Sequence, residues 1–397
     1  MGTKNPSTAT GELSIWDRVA LFGLFPLFAV RLLGFFIFRK TKELHWRQRL
    51  ALAFLQAQRA SFPTRYLRWL VRRVPTSEAI VRYATKQGIP HKSITLDATT
   101  ITRNATQGEI PDPTLHFLTP ASVNDDGNGS TLLYFHGGGF VNPLRGPAHM
   151  PFIMRCATAC GAKQAAILEY SLAPEYPYPA QLVQCIAALR YLLEERGLRP
   201  NELVLAGDSA GGQLVGALLA HVVQPSPYAA PVKLNDKLRA ALFVSPFVRL
   251  PPKAGNFDSY EINGRKDYLD RAQVGKFMAA FQGKENEIWT DLCGGKGSDD
   301  VWNRVFARGP DGLVQKVMVT AGTSEILLDC CRVFAKAHVR AETVIAGRDT
   351  DYREFEGKNM VLAECKGEVH VQVALDSAVG YDKGSMERAI MSWLACL

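Results

Sequence analysis

The feature that most restricts the fold is a serine bracketed by glycines, between a predicted strand and a predicted helix. Residues 207–211 read Gly-Asp-Ser-Ala-Gly and follow the apolar run at residues 203–206. A strand that turns directly into a helix crowds the backbone, so only very small residues fit two positions before and after the serine. Gly207 and Gly211 meet this condition. The pattern therefore predicts a strained turn that exposes the hydroxyl group of Ser209 as a nucleophile.

A glycine-rich loop upstream is the expected partner of this turn. Residues 136–140 read His-Gly-Gly-Gly-Phe and follow a predicted strand at residues 131–135. Consecutive glycines let the backbone approach a substrate carbonyl and point N–H groups at it, which predicts an oxyanion hole. The predicted donors are the backbone N–H groups of Gly137, Gly138, Gly139 and Ala210. We expect His136 to order the loop and Asp208 to support the serine turn. A phosphate-binding loop is disfavoured, because no Gly-Lys-Ser/Thr follows.

Alternating strands and helices predict the architecture around these motifs. Apolar runs predict strands at residues 115–118, 131–135, 164–168, 203–206, 240–244 and 317–319, with helical patterns between several of them. This alternation is typical of a mostly parallel sheet covered by helices on both faces. Residues 251–312, rich in Gly, Asp and aromatic residues, interrupt the alternation and predict an inserted cap.

Three motifs in this order resemble the hormone-sensitive-lipase-like branch of the α/β hydrolases. They are residues 136–140, residues 207–211 and the segment 170–180, Tyr-Ser-Leu-Ala-Pro-Glu-Tyr-Pro-Tyr-Pro-Ala. The resemblance runs from about residue 90 to residue 397. Within the branch the chain is similar to fungal steryl-acetate and secondary-metabolite esterases, which often carry an N-terminal membrane segment. Ser171 departs from the family, which usually has Arg there. The resemblance implies an α/β-hydrolase fold: a mostly parallel eight-stranded sheet, helices on both faces and a helical cap.

The catalytic base must be a histidine late in the chain, because these folds order the triad as Ser, acid, His. His221, His338 and His370 follow Ser209. His221 lies on the helix that Ser209 begins, and His338 lies on a later predicted helix. His370 follows the strand-like run at residues 360–363 in a loop, from which an imidazole can reach the serine. We therefore predict that His370 is the base.

Two carboxylates follow the predicted strand at residues 317–319. The family pattern places Leu two residues and Asp four residues after the catalytic acid. Glu325, Leu327 and Asp329 match it, with Glu in place of the commoner Asp. The resemblance thus implies that Glu325 orients and stabilises the imidazole, and that Asp329 makes structural hydrogen bonds. The implied reaction is a two-step acyl transfer on an ester that needs no metal and no cofactor.

An apolar segment near the N-terminus predicts a membrane anchor. Residues 19–38 contain six Phe and one charged residue, Arg31. As a helix this segment is about 30 Å long, which matches a bilayer core and predicts a single-pass membrane protein. The endoplasmic reticulum is the predicted membrane. A buried hairpin or cap helix is the alternative. Basic residues after the segment favour a cytosolic body, whereas the glycosylation sequons at Asn104 and Asn128 matter only in a lumen, so the orientation stays open.

Charge and cysteine content narrow the classes further. The net charge is +8, yet residues 31–92 hold 14 Lys or Arg against two acids. This basic region favours a membrane surface over a merely solvated helix face, and no nucleic-acid-binding fold accompanies it. The eight cysteines lack the density of a disulfide scaffold and the spacing of a zinc site.

The predicted divisions of the chain are a polar tail at 1–18, the anchor at 19–38, a basic helical region at 39–90, the hydrolase core at 91–250 and 313–397, and the cap at 251–312.

The cap and the anchor together predict the substrate class. If the cap aromatics line a pocket, the alcohol side of the ester is large and apolar; if they pack together, they are the core of the cap. These aromatics are Phe257, Tyr260, Tyr268, Phe277, Phe281, Trp289, Trp302 and Phe306. We predict deacetylation of a bulky lipophilic ester, such as a sterol or terpenoid acetate. A transacylase or lactonase using the same triad, and a non-catalytic binding protein on the same fold, are the alternatives; the oligomeric state is open.

Overall fold

A central sheet organises the chain. The computed structural model describes residues 13–38, 42–70, 73–99, 102, 109–120, 129–249 and 258–397. The strands are β1 His91–Thr95, β2 Thr114–Leu118, β3 Ser130–Phe135, β4 Ala162–Glu169, β5 Leu203–Asp208, β6 Leu238–Val244, β7 Val314–Gly322, β8 Glu342–Ala346 and β9 Met360–Cys365. They form one sheet in the order β1-β2-β4-β3-β5-β6-β7-β9-β8. Strand β2 runs antiparallel to both β1 and β4, and the remaining pairs are parallel.

The mostly parallel sheet predicted from the sequence is confirmed, but the described chain has nine strands and not eight. The two edge strands, β1 and β8, were not among the strands predicted from apolar runs. Most residues of β1 and the Glu342 and Ile345 side chains of β8 are partly or fully exposed. An edge strand exposed in this way lacks the continuous apolar run of a central strand, and the prediction depended on such runs.

Helices cover both faces of the sheet. They are α1 Ile15–Phe38, α2 Trp46–Ser61, α3 Thr64–Leu70, α4 Thr76–Gln87, α5 Gly146–Ala159, α6 Ala180–Arg190, α7 Ala210–Val223, α8 Ser259–Ile262, α9 Arg271–Phe281, α10 Ser298–Val305, α11 Leu328–Val333, α12 Gln372–Ala378 and α13 Ser385–Leu394. Alternate residues of β3 enter two separate cores: Leu133 and Phe135 pack with α6 and α7, while Leu132 and Tyr134 pack with α5 and α13. This period of two is that of a strand buried on both faces.

Most of the cap aromatics belong to the core and not to a pocket. Buried members of the predicted set are Tyr260, Phe281, Trp289, Trp302 and Phe306. Trp302 stacks on Phe306 at 5.5 Å and meets Phe334 edge-on at 5.3 Å. Tyr268 and Phe277 are only partly buried, and Phe257 lies outside the described residues. Of the two alternatives for these aromatics, the burial of five members favours a packed core over the lining of a pocket.

The N-terminal helices form an exposed layer on the body. Helix α1 is long and apolar enough to cross a membrane, by length and composition. One side of it packs on α2 and α3, through contacts such as Phe28 with Phe54 and Phe25 with Phe62. Its other side is exposed. The predicted sequons at Asn104 and Asn128 lie outside the described residues.

Candidate active site

Ser209 occupies a sharp turn between β5 and α7. Its backbone has φ 51° and ψ −114°, a region that non-glycine residues rarely adopt and that is strained. A Cβ atom on Gly207 would overlap the backbone of Gly211, and one on Gly211 would overlap the carbonyl oxygen of Phe135. The turn is fixed by hydrogen bonds, since the N–H of Ser209 donates to the carbonyl of Val244 at 2.9 Å. The predicted pentapeptide geometry is therefore present in the structure.

The imidazole of His370 contacts the hydroxyl of Ser209. Its Nε2 lies 2.8 Å from the Oγ of Ser209, although the two residues are 161 positions apart. The loop between β9 and α12 carries the imidazole, which is 2% exposed. Burial lowers the pKa of His370 to about 4, and the charge of Asp208 acts in the opposite direction. The imidazole is thus neutral near pH 7, which is the form that accepts a proton.

Glu325 follows β7 and is fully buried, but it does not hydrogen-bond His370 in this structure. Its Oε2 accepts hydrogen bonds from the hydroxyl of Ser245 at 2.6 Å and the N–H of Gly322 at 3.0 Å. The Nδ1 atom of His370 has no hydrogen-bond partner in the described part of the chain. Burial raises the pKa of Glu325 to about 8, while the bonds from Ser245 and Gly322 lower it.

Ser245 connects Glu325 to the loop that carries His370, and the sequence analysis did not identify it. Besides donating to Glu325, its Oγ accepts the N–H of Val371, the residue after His370, at 3.1 Å. Ser245 directly follows β6, and its φ of 44° is strained. The sequence could have indicated Ser245, because it is a polar residue at the carboxyl end of a central parallel strand. Such a residue lies beside the residues that follow the neighbouring strands.

Asp267, a second buried carboxylate, lies between the predicted cap and residues 323–327, the loop that carries Glu325, which we call the acid loop. It accepts the N–H of Ile326 at 2.9 Å and that of Tyr268 at 2.7 Å. Burial raises the pKa of Asp267 to about 7, whereas backbone hydrogen bonds, including one from His370, lower it. The ring of Tyr268 lies 6.2 Å from that of His370. No sequence signal marks Asp267, which is a single acid within an irregular insertion.

Asp329, the other predicted carboxylate, binds the cap. It accepts the N–H of Ser259 at 2.9 Å and lies 3.5 Å from Arg332. The cap also binds the acid loop through Asn263, whose side chain donates to the carbonyl oxygens of Thr323 at 3.1 Å and Glu325 at 2.9 Å. The segment 258–268 therefore holds the acid loop in place.

Asp208 ties the glycine-rich loop to the serine turn. Its Oδ1 accepts the N–H of Gly137 at 2.9 Å and the hydroxyl of Tyr134 at 2.7 Å, and His149 lies 3.4 Å away. Burial alone would raise the pKa of Asp208, but these partners outweigh it and the pKa falls below its usual value. The N–H of Gly137 is thus occupied by Asp208, which corrects its assignment to the oxyanion hole. Gly138, Gly139 and Ala210 remain as the predicted donors.

His136 lies beneath the same loop. Its Nδ1 is 2.7 Å from the carbonyl oxygen of Gly137, and Tyr170 donates its hydroxyl to the carbonyl of His136 at 2.7 Å. Burial lowers the pKa of His136 to about 4, so a neutral ring orders the loop. Ser171, the predicted departure from the family pattern, hydrogen-bonds the Gln184 side chain at 2.7 Å through its N–H and its hydroxyl.

Helix α9, in the predicted cap, packs against the glycine-rich loop. A Cβ atom on Gly139, where φ is 63°, would lie 2.5 Å from Cδ2 of Phe277. Beside it Phe140 stacks on Phe281 with 4.0 Å between ring centroids. Among the described residues no group of three His, Cys, Asp or Glu side chains is placed to hold a metal, and the eight cysteines are free.

The chain is similar to known hydrolases over much of its length. A family model described as alpha/beta hydrolase fold matches residues 132–362. "Lipase 2" of Moraxella sp. (strain TA144) is 30% identical over 200 residues, which cover 45% of this chain and 45% of that protein. "Acetyl-hydrolase" of Streptomyces hygroscopicus is 30% identical over 220 residues, 55% of this chain and 64% of that protein. The chain thus matches between about half and two thirds of the length of these two relatives.

The fold has a counterpart among solved structures. The crystal structure of an esterase from the bacterial hormone-sensitive lipase family matches with a TM-score of 0.58 and 21% sequence identity, covering 89% of this chain and 98% of that chain. "Hormone-sensitive lipase" of Homo sapiens is 31% identical over 161 residues, 40% of this chain and 14% of that protein, and this match confirms the predicted resemblance.

Proposed function

Because the chain belongs to the α/β-hydrolase fold family, we propose that it is a serine hydrolase that cleaves carboxylic esters at Ser209. The observation that carries the proposal is the 2.8 Å contact between Ser209 Oγ and His370 Nε2, at a serine held in a strained turn. A hydroxyl paired with a buried neutral imidazole is an activated nucleophile. The names of the relatives, a lipase and an acetyl-hydrolase, support the same reaction.

The reaction proceeds by an acyl-enzyme. His370 removes the proton from Ser209 as Oγ attacks the ester carbonyl, and the tetrahedral oxyanion accepts hydrogen bonds from the N–H groups of Gly138, Gly139 and Ala210. His370 then gives the proton to the leaving alcohol, which departs and leaves the acyl group on Ser209. Water repeats the sequence, so the acid is released and Ser209 regains its proton.

Glu325 is the acid of the proposed Ser-His-Glu triad. As His370 takes up the proton it becomes positively charged in a site where burial disfavours charge. An ionised Glu325 in the same buried region stabilises that cation. Ser245 supports the carboxylate form by donating to it, and so acts as a positioning residue.

The acyl group of the substrate is short and its alcohol is lipophilic. Phe277 packs directly against Gly139, and we infer that it limits the space beside the glycine-rich loop to a small acyl group. The acetyl-hydrolase relative supports the same preference. On the alcohol side, the partly buried Tyr268 beside His370 offers an aromatic surface. A sterol or terpenoid acetate, or a comparable fungal secondary-metabolite ester, has this shape.

The proposed location is a membrane, reached through α1. Its length and apolar composition support membrane association. A single-pass protein of the endoplasmic reticulum is the arrangement predicted from the sequence alone.

The acyl preference is tested with p-nitrophenyl esters from acetyl to palmitoyl. We expect kcat/KM to be greatest for acetyl or butyryl and to fall steadily with length. A maximum at dodecanoyl or longer chains would contradict the short-acyl proposal and indicate a lipase. A matching series of acetates with small and bulky alcohols separates the two sides of the pocket.

A further inference from the structure

The outward side of α1 is a continuous apolar stripe. Large exposed side chains recur three, four or eight positions apart, which places them on one face of a helix. These side chains are Ile15, Val19, Phe22, Val30, Leu33 and Ile37. Phe22 and Val30 are 68% and 70% exposed, and a contiguous exposed apolar patch of this kind marks an interaction site. Helix α2 adds a second exposed stripe, Trp46, Leu50 and Phe54. We call these two stripes the apolar platform.

The inner side of α1 is fastened to α2 and α3 along its length. Near its start Asp17 pairs with Arg65 at 3.2 Å. In its middle the Arg31 guanidinium donates to the carbonyl of Ala60. Near its end Arg49 donates to the carbonyl of Phe36 at 2.6 Å. Helix α1 therefore lies flat on its neighbours.

Helix α2 is fastened to the body in the same way. Gln48 donates to Asp376 at 2.8 Å, and Gln56 donates to the carbonyl of Asp267 at 3.1 Å. Arg59 donates to the carbonyl of Tyr268 at 2.8 Å. To cross a bilayer, α1 would have to leave α2 and carry Arg31 unpaired into the hydrocarbon, or take the polar side chains of α2 in with it. Both are costly.

From this packing we propose that the apolar platform binds in the plane of a bilayer leaflet, and that α1 does not span the membrane. The platform inserts its apolar side chains at the boundary between headgroups and acyl chains, while the inner sides of α1 and α2 stay packed on the body. The exposed Trp16 and Trp46 are of the type that favours this boundary. The excess of positive charge in residues 31–92, 14 Lys or Arg against two acids, favours a leaflet with anionic headgroups.

The platform lies next to the proposed active site. Leu52 of α2 packs in one cluster with Val369, which precedes His370. Arg59 and Gln56 hold the segment that presents Tyr268 to His370. In-plane binding therefore brings the His370 loop close to the lipid surface, where a lipophilic ester is dissolved. This consequence rests on the proposed ester hydrolysis; the membrane binding itself does not.

Vesicle binding tests the surface. The full-length protein is sedimented with phosphatidylcholine vesicles that contain phosphatidylserine, beside the double variant Phe22→Glu/Leu33→Glu and the control Ile345→Glu, which alters a 54% exposed side chain on β8. We expect the double variant to bind at least about tenfold more weakly, because two apolar side chains no longer enter the lipid. The control should bind like the wild type, and all three should melt at the same temperature. Equal binding by all three, or none by the wild type, would overturn the proposal.

Topology separates in-plane binding from spanning. The full chain is expressed with microsomes, carrying one glycosylation tag at the N-terminus and one at the C-terminus. In-plane binding places both tags on the same side, so both are modified or neither is. Modification of only one tag would show that α1 spans the bilayer and would overturn the proposal. A lipid-free dimer that the double variant dissociates would assign the platform to a second copy of the chain and overturn it as well.

Kinetics connects the platform to the site. The double variant should hydrolyse soluble p-nitrophenyl acetate at the wild-type rate and lose at least about tenfold in rate on a sterol acetate dissolved in the vesicles. Equal rates on the vesicle ester would contradict the link to the site. If the wild type hydrolyses neither ester, the proposed function fails, and the binding and topology measurements still decide the platform.

Discussion

Replacing Ser245 by Ala removes the hydroxyl that joins the acid to the histidine loop. The change deletes a 2.6 Å hydrogen bond to the buried Glu325 carboxylate and leaves the N–H of Val371 without its acceptor. A hydrogen bond to a charged group contributes about 1.5–3 kcal/mol. If that bond is needed as the imidazolium forms, kcat/KM falls by about 10- to 150-fold, since each 1.4 kcal/mol is about tenfold.

The pH dependence identifies the cause of the loss. Burial raises the pKa of Glu325 to about 8, and Ser245 opposes this shift. The carboxylate, which stabilises the imidazolium, therefore accumulates as pH rises through that value, and activity rises with it. Without Ser245 the pKa of Glu325 rises further, so the rise in activity moves to higher pH. The difference in kcat/KM between the wild type and Ser245→Ala should therefore become smaller at alkaline pH.

The assay is kcat/KM for a water-soluble acetate across the neutral and alkaline range, with melting temperatures recorded alongside. Thr320→Val is the matched control, because Thr320 also carries a buried hydroxyl in this sheet and that hydroxyl has no hydrogen-bond partner in the described residues. It should leave both the rate and the profile unchanged. A Ser245→Ala loss of the same size at every pH, with an unchanged melting temperature, would refute the role assigned to Ser245.

Four further substitutions probe the neighbouring residues. Glu325→Gln should lower kcat by about 10²–10⁴, because the imidazolium loses its countercharge, whereas Asp329→Asn should mainly lower the melting temperature; the reverse pattern in kcat would exchange their roles. Asp267→Asn should shift the alkaline rise in kcat/KM to lower pH, opposite to Ser245→Ala, because the Asp267 charge raises the pKa of Glu325; an upward shift would contradict this. Phe277→Ala should raise kcat/KM for hexanoyl and octanoyl esters relative to acetyl, and an unchanged acyl profile would show that Phe277 does not limit the acyl side.

The central strands were predictable because burial on both faces leaves an uninterrupted apolar run, as in β3 and β5. Strands β1 and β8 could not be predicted in this way, because each lies at an edge of the sheet and exposes side chains. In the site, the glycines around Ser209 are dictated by local crowding and can be read directly from the sequence. The order of the triad along the chain left three candidate histidines, and the position of His370 in a loop after a strand-like run singled it out.

Contacts between distant segments could not be predicted in the same way. Asp267 accepts a hydrogen bond from the N–H of Ile326, and the Gln56 side chain donates to the carbonyl oxygen of Asp267. Neither contact leaves a local pattern in the sequence. The occupation of Gly137 by Asp208 is of the same kind, since three consecutive glycines look equivalent until the structure distinguishes them. For α1 the sequence left anchor and packed hairpin open, and the contacts of Arg31 and Arg49 show one face packed and one exposed.

The most direct test of the account is covalent labelling of the nucleophile. A fluorophosphonate probe is reacted with the wild type and with Ser209→Ala, the adduct is located by mass spectrometry, and hydrolysis of an acetate ester is measured in parallel. The account predicts a single adduct on Ser209 in the wild type, no adduct in the folded variant, and a loss of about 10⁴–10⁶ in kcat. Labelling or hydrolysis that persists in Ser209→Ala at the wild-type level would contradict it.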